Sequence, residues 1–329
     1  MNILVTGGAG YVGSVSARVL MAAGHRVTVL DDLSRGHREA IPEGADFIEC
    51  DLLDPASLDR ALAEGRFDCV LHCAALALVG ESVTNPERYW RTNITGSLNL
   101  LDSMRSAGIG TLVFSSTCAT YGEPEVVPIA EDCPTRPVNP YGESKLAVDR
   151  MITAEAAAHG LAAISLRYFN VAGASGPCGE DHEPETHLIP NVLRAAQGKL
   201  EHVNVFGTDY PTPDGTAIRD YIHVEDLADA HMLALEQARP GEHRIFNIGN
   251  GNGFSVLEVI EAAKRVTGLE IKVVEAPRRE GDPPMLVAAS QRIRAELGWE
   301  AKRPDLDSMI ADAWGFAQAR PDGYGAESV

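Results

Sequence analysis

The sequence has little positive charge and no long apolar run. Its 329 residues contain 28 Lys and Arg against 47 Asp and Glu, which gives a formal net charge of −19. A surface this acidic repels phosphate backbones and anionic lipids, so we expect neither a nucleic acid nor a membrane as a partner. No apolar run approaches the roughly 18 residues that a membrane span needs. If the ligand is itself anionic, its site must contain local cations that oppose the overall charge.

Cysteine is also scarce and follows no metal-binding pattern. The six cysteines include no CxxC pair, and none lies near a histidine at metal-ligand spacing, so we expect buried, reduced thiols and no metal site. Met1 leads straight into an apolar segment, without the charged and cleavable regions of a signal peptide. These features favour a cytoplasmic protein.

What the sequence does contain is an alternation of short β-branched runs with helical stretches. The predicted strands are Asn2–Thr6, Arg26–Leu30, Asp46–Cys50, Cys69–Cys73, Thr111–Ser115 and Ala162–Arg167; the predicted helices are Tyr11–Ala23, Pro55–Glu64, Glu87–Ala107 and Tyr141–His159. This order predicts an α/β fold with a Rossmann-type doubly wound parallel sheet, covered by helices on both faces.

After Phe169 the composition changes, and stretches rich in glycine, proline and acidic residues indicate loops. We therefore predict a first domain over residues 1–170 and a smaller C-terminal α/β substrate lobe over residues 171–329. The boundary need not be strictly contiguous. Within residues 219–250, Ile245–Ile248 could form a strand that returns to the main sheet.

A glycine-rich loop follows the first predicted strand and opens the first predicted helix. Gly7, Gly10 and Gly13 have the spacing GxxGxxG, which overlaps a GxGxxG pattern. Glycine is needed where a backbone turns sharply or approaches a pyrophosphate closely, and the N–H groups of the helix N-terminus then point at the diphosphate. Asp31 ends the second strand, where a carboxylate accepts ribose hydroxyls and repels a 2′-phosphate. The pattern predicts a dinucleotide site and favours NAD over NADP, although the nearby Arg35 leaves NADP open.

Tyr141 and Lys145 lie four residues apart, on one face of a predicted helix. A tyrosine hydroxyl is a poor base at its ordinary pKa of about 10, and a neighbouring cation favours the phenolate. A tyrosinate in this position could take a proton from a substrate hydroxyl while a hydride leaves the same carbon. Thr117 lies at the end of a predicted strand, where ligands bind in doubly wound sheets, so it could hydrogen-bond the reacting oxygen.

The glycine loop, the Ser115–Thr117 segment and the Tyr141/Lys145 pair, in this order, resemble the extended short-chain dehydrogenase/reductase family. Further stretches resemble the UDP-glucose 4-epimerases within that family. They are LVGES (78–82), LRYFNVAGA (166–174), FGTDYPTPDGTAIRDYIHVEDLADAH (206–231) and APRREGD (276–282). The stretches of the second half are the more specific ones, because the loop and the Tyr/Lys pair are shared across the superfamily. The resemblance implies reversible C4 epimerisation of UDP-glucose and UDP-galactose, through a 4-keto intermediate and with tightly bound NAD.

The resemblance also implies roles for individual residues. The catalytic residues would be Thr117, Tyr141 and Lys145. The NAD contacts would be Gly7, Gly10, Tyr11, Val12, Gly13, Asp31, Asp32, Leu33, Ser34, Asp51, Leu52, Cys73, Ala74, Ala75, Asn93, Ser115, Tyr141, Lys145, Tyr168 and Phe169. The UDP-sugar contacts would be Thr117, Asn170, His187, Leu188, Asn204, Phe206, Arg219, Arg279, Asp282 and Leu286. Arg219 and Arg279 would be the local cations that an anionic diphosphate requires.

The chain departs from the family pattern at four places. Leu76-Ala77 replaces a stretch that often carries a lysine on the cofactor phosphate, which weakens the prediction of tight NAD binding. Asparagine is common in the family where His187 and Thr92 stand here. Leu286 occupies a position where some members have a bulky tyrosine that limits the sugar pocket.

Other functions remain open from the sequence. An epimerase of UDP-N-acetylglucosamine or of a UDP-uronate, or another nucleotide-sugar short-chain dehydrogenase, would share these motifs. A dehydratase is disfavoured because Cys118 and Ala119 stand where an acidic pair would follow Thr117. A redox-sensing module without catalysis is disfavoured because Tyr141 and Lys145 are both present. A homodimer is expected through Glu87–Ala107 and Tyr141–His159, whose helices would form a four-helix bundle.

Overall fold

The structure is a computed structural model that describes residues 1–279 and 281–325. The strands are β1 Asn2–Thr6, β2 Arg26–Asp31, β3 Asp46–Glu49, β4 Cys69–His72, β5 Thr111–Thr117, β6 Ala162–Tyr168, β7 Asn170–Ala172, β8 Val203–Phe206, β9 Ile218–Arg219, β10 Tyr221–His223, β11 His243–Ile248, β12 Phe254–Ser255, β13 Val273–Ala276 and β14 Met285–Leu286. The helices are α1 Tyr11–Ala22, α2 Pro55–Gly65, α3 Val79–Thr84, α4 Pro86–Tyr89, α5 Gly96–Ala107, α6 Pro140–His159, α7 Leu188–Ala196, α8 Val224–Gln237, α9 Val256–Thr267, α10 Gln291–Leu297 and α11 Leu306–Ala319.

Seven parallel strands form the central sheet, in the order β3-β2-β1-β4-β5-β6-β11. The order reverses beside β1, which pairs with β2 on one side and with β4 on the other. This arrangement confirms the predicted Rossmann-type sheet. β11 pairs in parallel with β6, so the chain comes back to the main sheet after β7–β10. β5 runs two residues past the predicted end at Ser115, because Ser116 and Thr117 stay paired with Arg167 and Tyr168 of β6.

Helices cover both faces of the sheet, as a parallel sheet requires. On one face α1 packs against α8, and Leu20 and Leu227 share a buried core with Val5 and Val29 of the sheet. On the other face α2, α5 and α6 enclose a second core that includes Leu4, Leu58, Leu100 and Ile152. The inner strands therefore bury side chains on both of their faces, whereas the edge strand β3 has no fully buried residue.

The predicted helix Glu87–Ala107 was wrong as one continuous α-helix. It consists of α4, a π-helix over Trp90–Thr95, and α5. The wider π turn carries Asn93, whose side chain hydrogen-bonds the backbone of Leu76 rather than facing outward. A long-range contact of this kind does not change the helical periodicity of the sequence. The sequence therefore did not predict that a π-helix interrupts the α-helix.

The second lobe contains short strands outside the main sheet, and α7, α9 and α11 pack together in its core. β8 and β13 form a parallel pair, while β9 pairs with β14 in parallel and with β12 in antiparallel. Its core gathers Val192 of α7, Ile260 of α9 and Ile310 of α11. In the described part of the chain, no helix is long and apolar enough to cross a membrane.

Asp220 lies between β9 and β10 and ties three segments of the second lobe together. Its Oδ1 accepts a hydrogen bond from the N–H of Asn250 at 2.9 Å, and its Oδ2 accepts from Gly251 and Ala288, each at 3.0 Å. Burial raises the pKa of this carboxyl to about 6, so it is ionised at neutral pH and remains an acceptor for all three N–H groups. The loops after β11 and β14 are thereby held against β9 and β10.

Replacing Asp220 with asparagine should destabilise the protein. Asp220→Asn keeps the size of the side chain but leaves one oxygen for three N–H donors, and a buried donor without a partner costs roughly 1–3 kcal/mol. We expect the free energy of unfolding, measured by urea denaturation, to fall by about 1–3 kcal/mol. Asp132→Asn makes the same change at an exposed aspartate and should stay within about 0.5 kcal/mol of the parent. Equal losses in the two variants would contradict this role of Asp220.

Candidate active site

A single large cleft lies across the carboxyl ends of the central strands. Its volume is about 1250 Å³, and its walls come from both the main sheet and the second lobe. Ligands of doubly wound sheets bind at this edge, beside the point where the strand order reverses. That point lies between β1 and β4 here. The cleft is therefore the candidate active site.

The glycine loop forms the floor of one half of the cleft. A Cβ on Gly13 would lie 2.1 Å from the carbonyl oxygen of Gly7, so only glycine allows this turn. A Cβ on Gly10 would meet nothing closer than 3.4 Å, because that side of the loop is open. Gly10 caps α1 without a side-chain acceptor, and the first turn of α1 carries no acidic residue. The free N–H groups of this turn thus offer a site for an anion, which fits the diphosphate of a dinucleotide.

Asp31 lines the cleft at the end of β2, next to the glycine loop. Its carboxylate accepts hydrogen bonds from the N–H of Ala9 at 3.0 Å and of Leu33 at 2.9 Å. Burial raises its pKa, and the two backbone hydrogen bonds oppose that change. Arg35, which could have paired with a 2′-phosphate, instead forms an ion pair with Glu81 and donates to the carbonyl of Glu183. These contacts leave a carboxylate in the lining of the cleft at the end of β2 and engage the nearby cation elsewhere.

Most of the residues predicted for the cofactor line this half of the cleft. They are Gly7, Gly10, Tyr11, Val12, Gly13, Asp31, Asp32, Ser34, Asp51, Leu52, Cys73, Ala74, Ala75, Tyr141, Tyr168 and Phe169. Leu33, Asn93, Ser115 and Lys145 lie behind that surface. Leu33 holds Asp31 in place through its N–H.

Asn93 supports the cleft wall from behind. Its Oδ1 accepts from the N–H of Leu76 at 2.8 Å, and its Nδ2 donates to the carbonyl of Leu76 and to Oγ of Ser144. Ser144 in turn donates to the carbonyl of Tyr141. Asn93 therefore fixes the segment that bears Leu76, which lines the cleft, relative to the start of α6.

Tyr141 and Thr117 line the cleft together with residues predicted for the cofactor and residues predicted for the sugar nucleotide. Thr117 is the last residue of β5, and Tyr141 stands in the first turn of α6, which Asn139 caps by accepting from the N–H of Gly142. Burial raises the pKa of Tyr141 to about 12, although its hydrogen bond with Thr117 lowers it. Burial also lowers the pKa of Lys145 to about 8, and its Nζ donates to the carbonyl of Ser115 at 2.8 Å. In the chain alone, burial thus outweighs the expected effect of Lys145 on the tyrosine.

The residues predicted for the sugar nucleotide all line the cleft. They are Thr117, Asn170, His187, Leu188, Asn204, Phe206, Arg219, Arg279, Asp282 and Leu286. Leu286 of β14 pairs in register with Arg219 of β9. The guanidinium of Arg219 forms an ion pair with Asp282, whereas that of Arg279 stacks 4.0 Å above the ring centre of Phe206. The second half of the cleft thus holds cations next to an aromatic ring.

Sequence reasoning missed a cluster at the edge of this half. Glu180, His182 and Glu185 also line the cleft, together with His187. Burial opposes a proton on either histidine, yet the carboxylates raise the pKa of His182 to about 9 and that of His187 to about 10. The segment has neither helical nor strand periodicity, and its spacing, ExHxxExH, is not one of the familiar metal-binding patterns. Only the path of the folded loop brings the four side chains together.

Known proteins share this architecture over nearly the whole chain. The NAD dependent epimerase/dehydratase family matches residues 3–249. The UDP-glucose 4-epimerase of Streptomyces lividans is 57% identical over 323 residues, which is 98% of this chain and 97% of that protein. That of Corynebacterium glutamicum is 56% identical over 322 residues, again 98% and 97% of the two chains. The crystal structure of UDP-glucose 4-epimerase from Bifidobacterium longum in complex with NAD+ and UDP gives a TM-score of 0.93 at 35% identity, covering 98% of this chain and 100% of that one.

Proposed function

This chain belongs to the NAD dependent epimerase/dehydratase family, and from that membership and its cleft we propose that it interconverts UDP-glucose and UDP-galactose by reversible epimerisation at C4. The observation that carries the proposal is that Tyr141 and Thr117 line the same cleft as the glycine loop and Arg219. Relatives at 56% and 57% identity that are UDP-glucose 4-epimerases support the same substrate.

The cofactor is NAD, and the chain's own groups fit it. The N–H groups in the first turn of α1 would hold the diphosphate, and the Asp31 carboxylate would accept hydrogen bonds from the adenosine ribose. The aliphatic Leu76-Ala77 also lines this half of the cleft, so the loop N–H groups and the helix N-terminus hold the phosphates without a lysine. When bound, NAD would supply reversible hydride exchange with C4 of the sugar, so the overall reaction has no net redox change.

Tyr141 moves the proton that accompanies this chemistry. Its phenolate takes the proton of the sugar 4-hydroxyl and later gives it back, while Thr117 hydrogen-bonds the same oxygen. Lys145 lies one helical turn after Tyr141 and holds positive charge on the same helix, anchored by the carbonyl of Ser115. Burial keeps water away from the reacting oxygen and raises the pKa of Tyr141. Because of that raised pKa, release of the phenolic proton requires positive charge nearby.

The second half of the cleft would hold the UDP moiety and the sugar. Arg279, stacked on Phe206, and Arg219 supply the positive charge that a diphosphate requires in a chain of net charge −19. Asp282 then competes with the diphosphate for Arg219. Leu286 borders the space for the sugar and takes up less of it than a tyrosine would. We keep residues 1–170 as the NAD-binding unit and residues 171–329 as the sugar-nucleotide unit of this proposal.

We further propose a cytoplasmic homodimer. The six cysteines are all free thiols, as in proteins of reducing compartments. Trp90 and Leu98 are 39% and 44% exposed, eight residues apart on the predicted interface segment, and Ile94 lies half-buried between them. An apolar stripe on this segment would be covered by the same segment of a second copy, next to α6 of each chain.

Removing the Tyr141 hydroxyl should abolish epimerisation without loss of the fold. Purified protein incubated with UDP-galactose should form UDP-glucose, and Tyr141→Phe should lower kcat by about 10²–10⁴-fold, the usual contribution of a general base. Tyr89→Phe is a matched control, because its ring lies 6.4 Å from that of Tyr141 while its hydroxyl donates to the carbonyl of Leu78. Mass spectrometry and NMR would identify the product. No UDP-glucose from NAD-loaded protein would overturn the proposed function.

Two glycines of the loop should give opposite phenotypes. Gly13→Ala places a methyl group against the Gly7 carbonyl, so we expect a loss of stability of about 1–3 kcal/mol or more. Gly10→Ala fits the backbone, whose φ is −87°, and should leave stability nearly unchanged. It should nevertheless reduce the NAD that copurifies, because its methyl group enters the space for the diphosphate. Urea denaturation and the NAD released on unfolding measure the two effects. Full NAD retention by Gly10→Ala would contradict the assignment.

The dimer interface can be tested by charge. Light scattering should give a mass about twice 35.2 kDa for the parent protein. Trp90→Lys combined with Leu98→Lys should shift that mass towards the monomer, because four buried ammonium groups across the interface would lack partners. Leu269→Lys, at a leucine that is 41% exposed in the second lobe, is the matched control and should remain dimeric. A monomeric parent protein would exclude the proposal.

A further inference from the structure

Two glutamates and two histidines meet in the loop between β7 and α7. One ligand atom of each residue, from Glu180, His182, Glu185 and His187, lies within 4.8 Å of those of the other three. We call these residues the His/Glu cluster. It is separate from the reacting group at Tyr141, and nothing in the proposed epimerisation requires two acids and two imidazoles at this point.

The distances within the cluster match those of a metal coordination sphere. Nδ1 of His187 lies 2.8 Å from Oε1 of Glu180 and 2.9 Å from Oε1 of Glu185. Nδ1 of His182 lies 3.3 Å from Oε1 of Glu180 and 3.8 Å from Oε2 of Glu185. Tetrahedral ligands at zinc bond lengths of about 2.0–2.1 Å are about 3.3 Å apart. The four imidazole–carboxylate distances of 2.8–3.8 Å bracket this spacing, and all four ligand atoms lie within 4.8 Å of one another.

Two buried carboxylates beside two imidazoles can be balanced either by protons on the histidines or by one divalent ion in their place. The Glu185 and Glu180 side chains are only 3% and 11% exposed. Because two neighbouring carboxylates are costly to remove from water, they require positive charge between them. Nδ1 of His182 is buried and has no hydrogen-bond partner of acceptable geometry among the residues that the structure describes, although Oε1 of Glu180 lies 3.3 Å away. A divalent ion that displaces the histidine protons would use the lone pair of this nitrogen.

We propose that Glu180, His182, Glu185 and His187 bind one divalent transition-metal ion, and that zinc fits them best. Imidazole nitrogens and carboxylate oxygens are both ligands of zinc, and four protein ligands make a closed, structural type of site. This inference goes beyond the proposed epimerisation and does not depend on it.

The position of the cluster gives the ion a structural task. Nη1 of Arg35, from the loop after β2, donates to the carbonyl of Glu183, and the ring of His37 hydrogen-bonds the carbonyl of Asp181 at 3.2 Å. The segment thus already bridges the cofactor half of the cleft and the start of α7. An ion there would fix this bridge. Coordination through Nδ1 would also place the remaining ring proton of His187 on Nε2, where it is free to donate a hydrogen bond.

Metal titration of the full-length protein tests the proposal. Protein treated with a chelator and then dialysed should bind one equivalent of Zn2+ by calorimetry. Co2+ should bind with the same stoichiometry and give the strong visible absorption of a tetrahedral complex, which Zn2+ should remove. Zn2+ should also raise the melting temperature, because it binds the folded state. Failure of the parent protein to bind either ion stoichiometrically would overturn the inference.

Variants separate the cluster from adventitious binding. His182→Gln and Glu180→Gln should each weaken Zn2+ binding by more than about 100-fold, since even the loss of an outer-shell partner costs 10–100-fold. His202→Gln is the matched control, because His202 lines the same cleft outside the cluster and should leave the affinity unchanged. Circular dichroism confirms that each variant is folded. Equal affinities in all three variants would also reject the site. Epimerase activity of the parent protein, measured separately, tests the proposed function alone.

Discussion

The constraint on which this molecule depends is that the seven strands of its main sheet all run in the same direction. Because every strand ends at the same edge, the loop after β1, the carboxylate that ends β2 and Thr117 at the end of β5 meet in one cleft. β5 stays hydrogen-bonded to β6 as far as the pair Thr117 and Tyr168, so both residues reach this edge of the sheet.

The net negative charge of the chain opposes the binding of an anionic ligand. Two groups provide positive charge locally. The N-terminus of α1 provides partial positive charge from the backbone, without a basic side chain. Arg279, stacked on Phe206, provides a guanidinium whose side chain is already ordered. Arg219 differs, because Asp282 neutralises it, so a diphosphate gains less from Arg219 unless it displaces that carboxylate.

The sequence predicted those features whose cause is local. The turn of the glycine loop and the strands of the main sheet depend on residues that are neighbours in the sequence. The predicted ends of these strands therefore lie within two residues of the observed ends. The π-helix was not predicted, because it depends on Asn93 reaching Leu76, a contact between residues 17 positions apart. Nor was the His/Glu cluster predicted, since its four side chains converge only after Arg35 and His37 anchor the loop that bears them. The resemblance supplied Arg219 and Leu286, which local patterns alone would not have singled out.

The two lobes therefore differ in what fixes their functional groups. In the first lobe, the strands of the main sheet and the turn into α1 set the positions of the glycine loop, Asp31 and Thr117. The arrangement of these groups therefore follows from backbone hydrogen bonds. In the second lobe β9 and β14 are only two residues long, and their pairing alone cannot hold Arg219 opposite Leu286. The buried carboxylate of Asp220 supplies the missing constraint by accepting three N–H groups from two further loops. The wall of the cleft that carries Arg219 and Leu286 is consequently tied to the stability of this lobe.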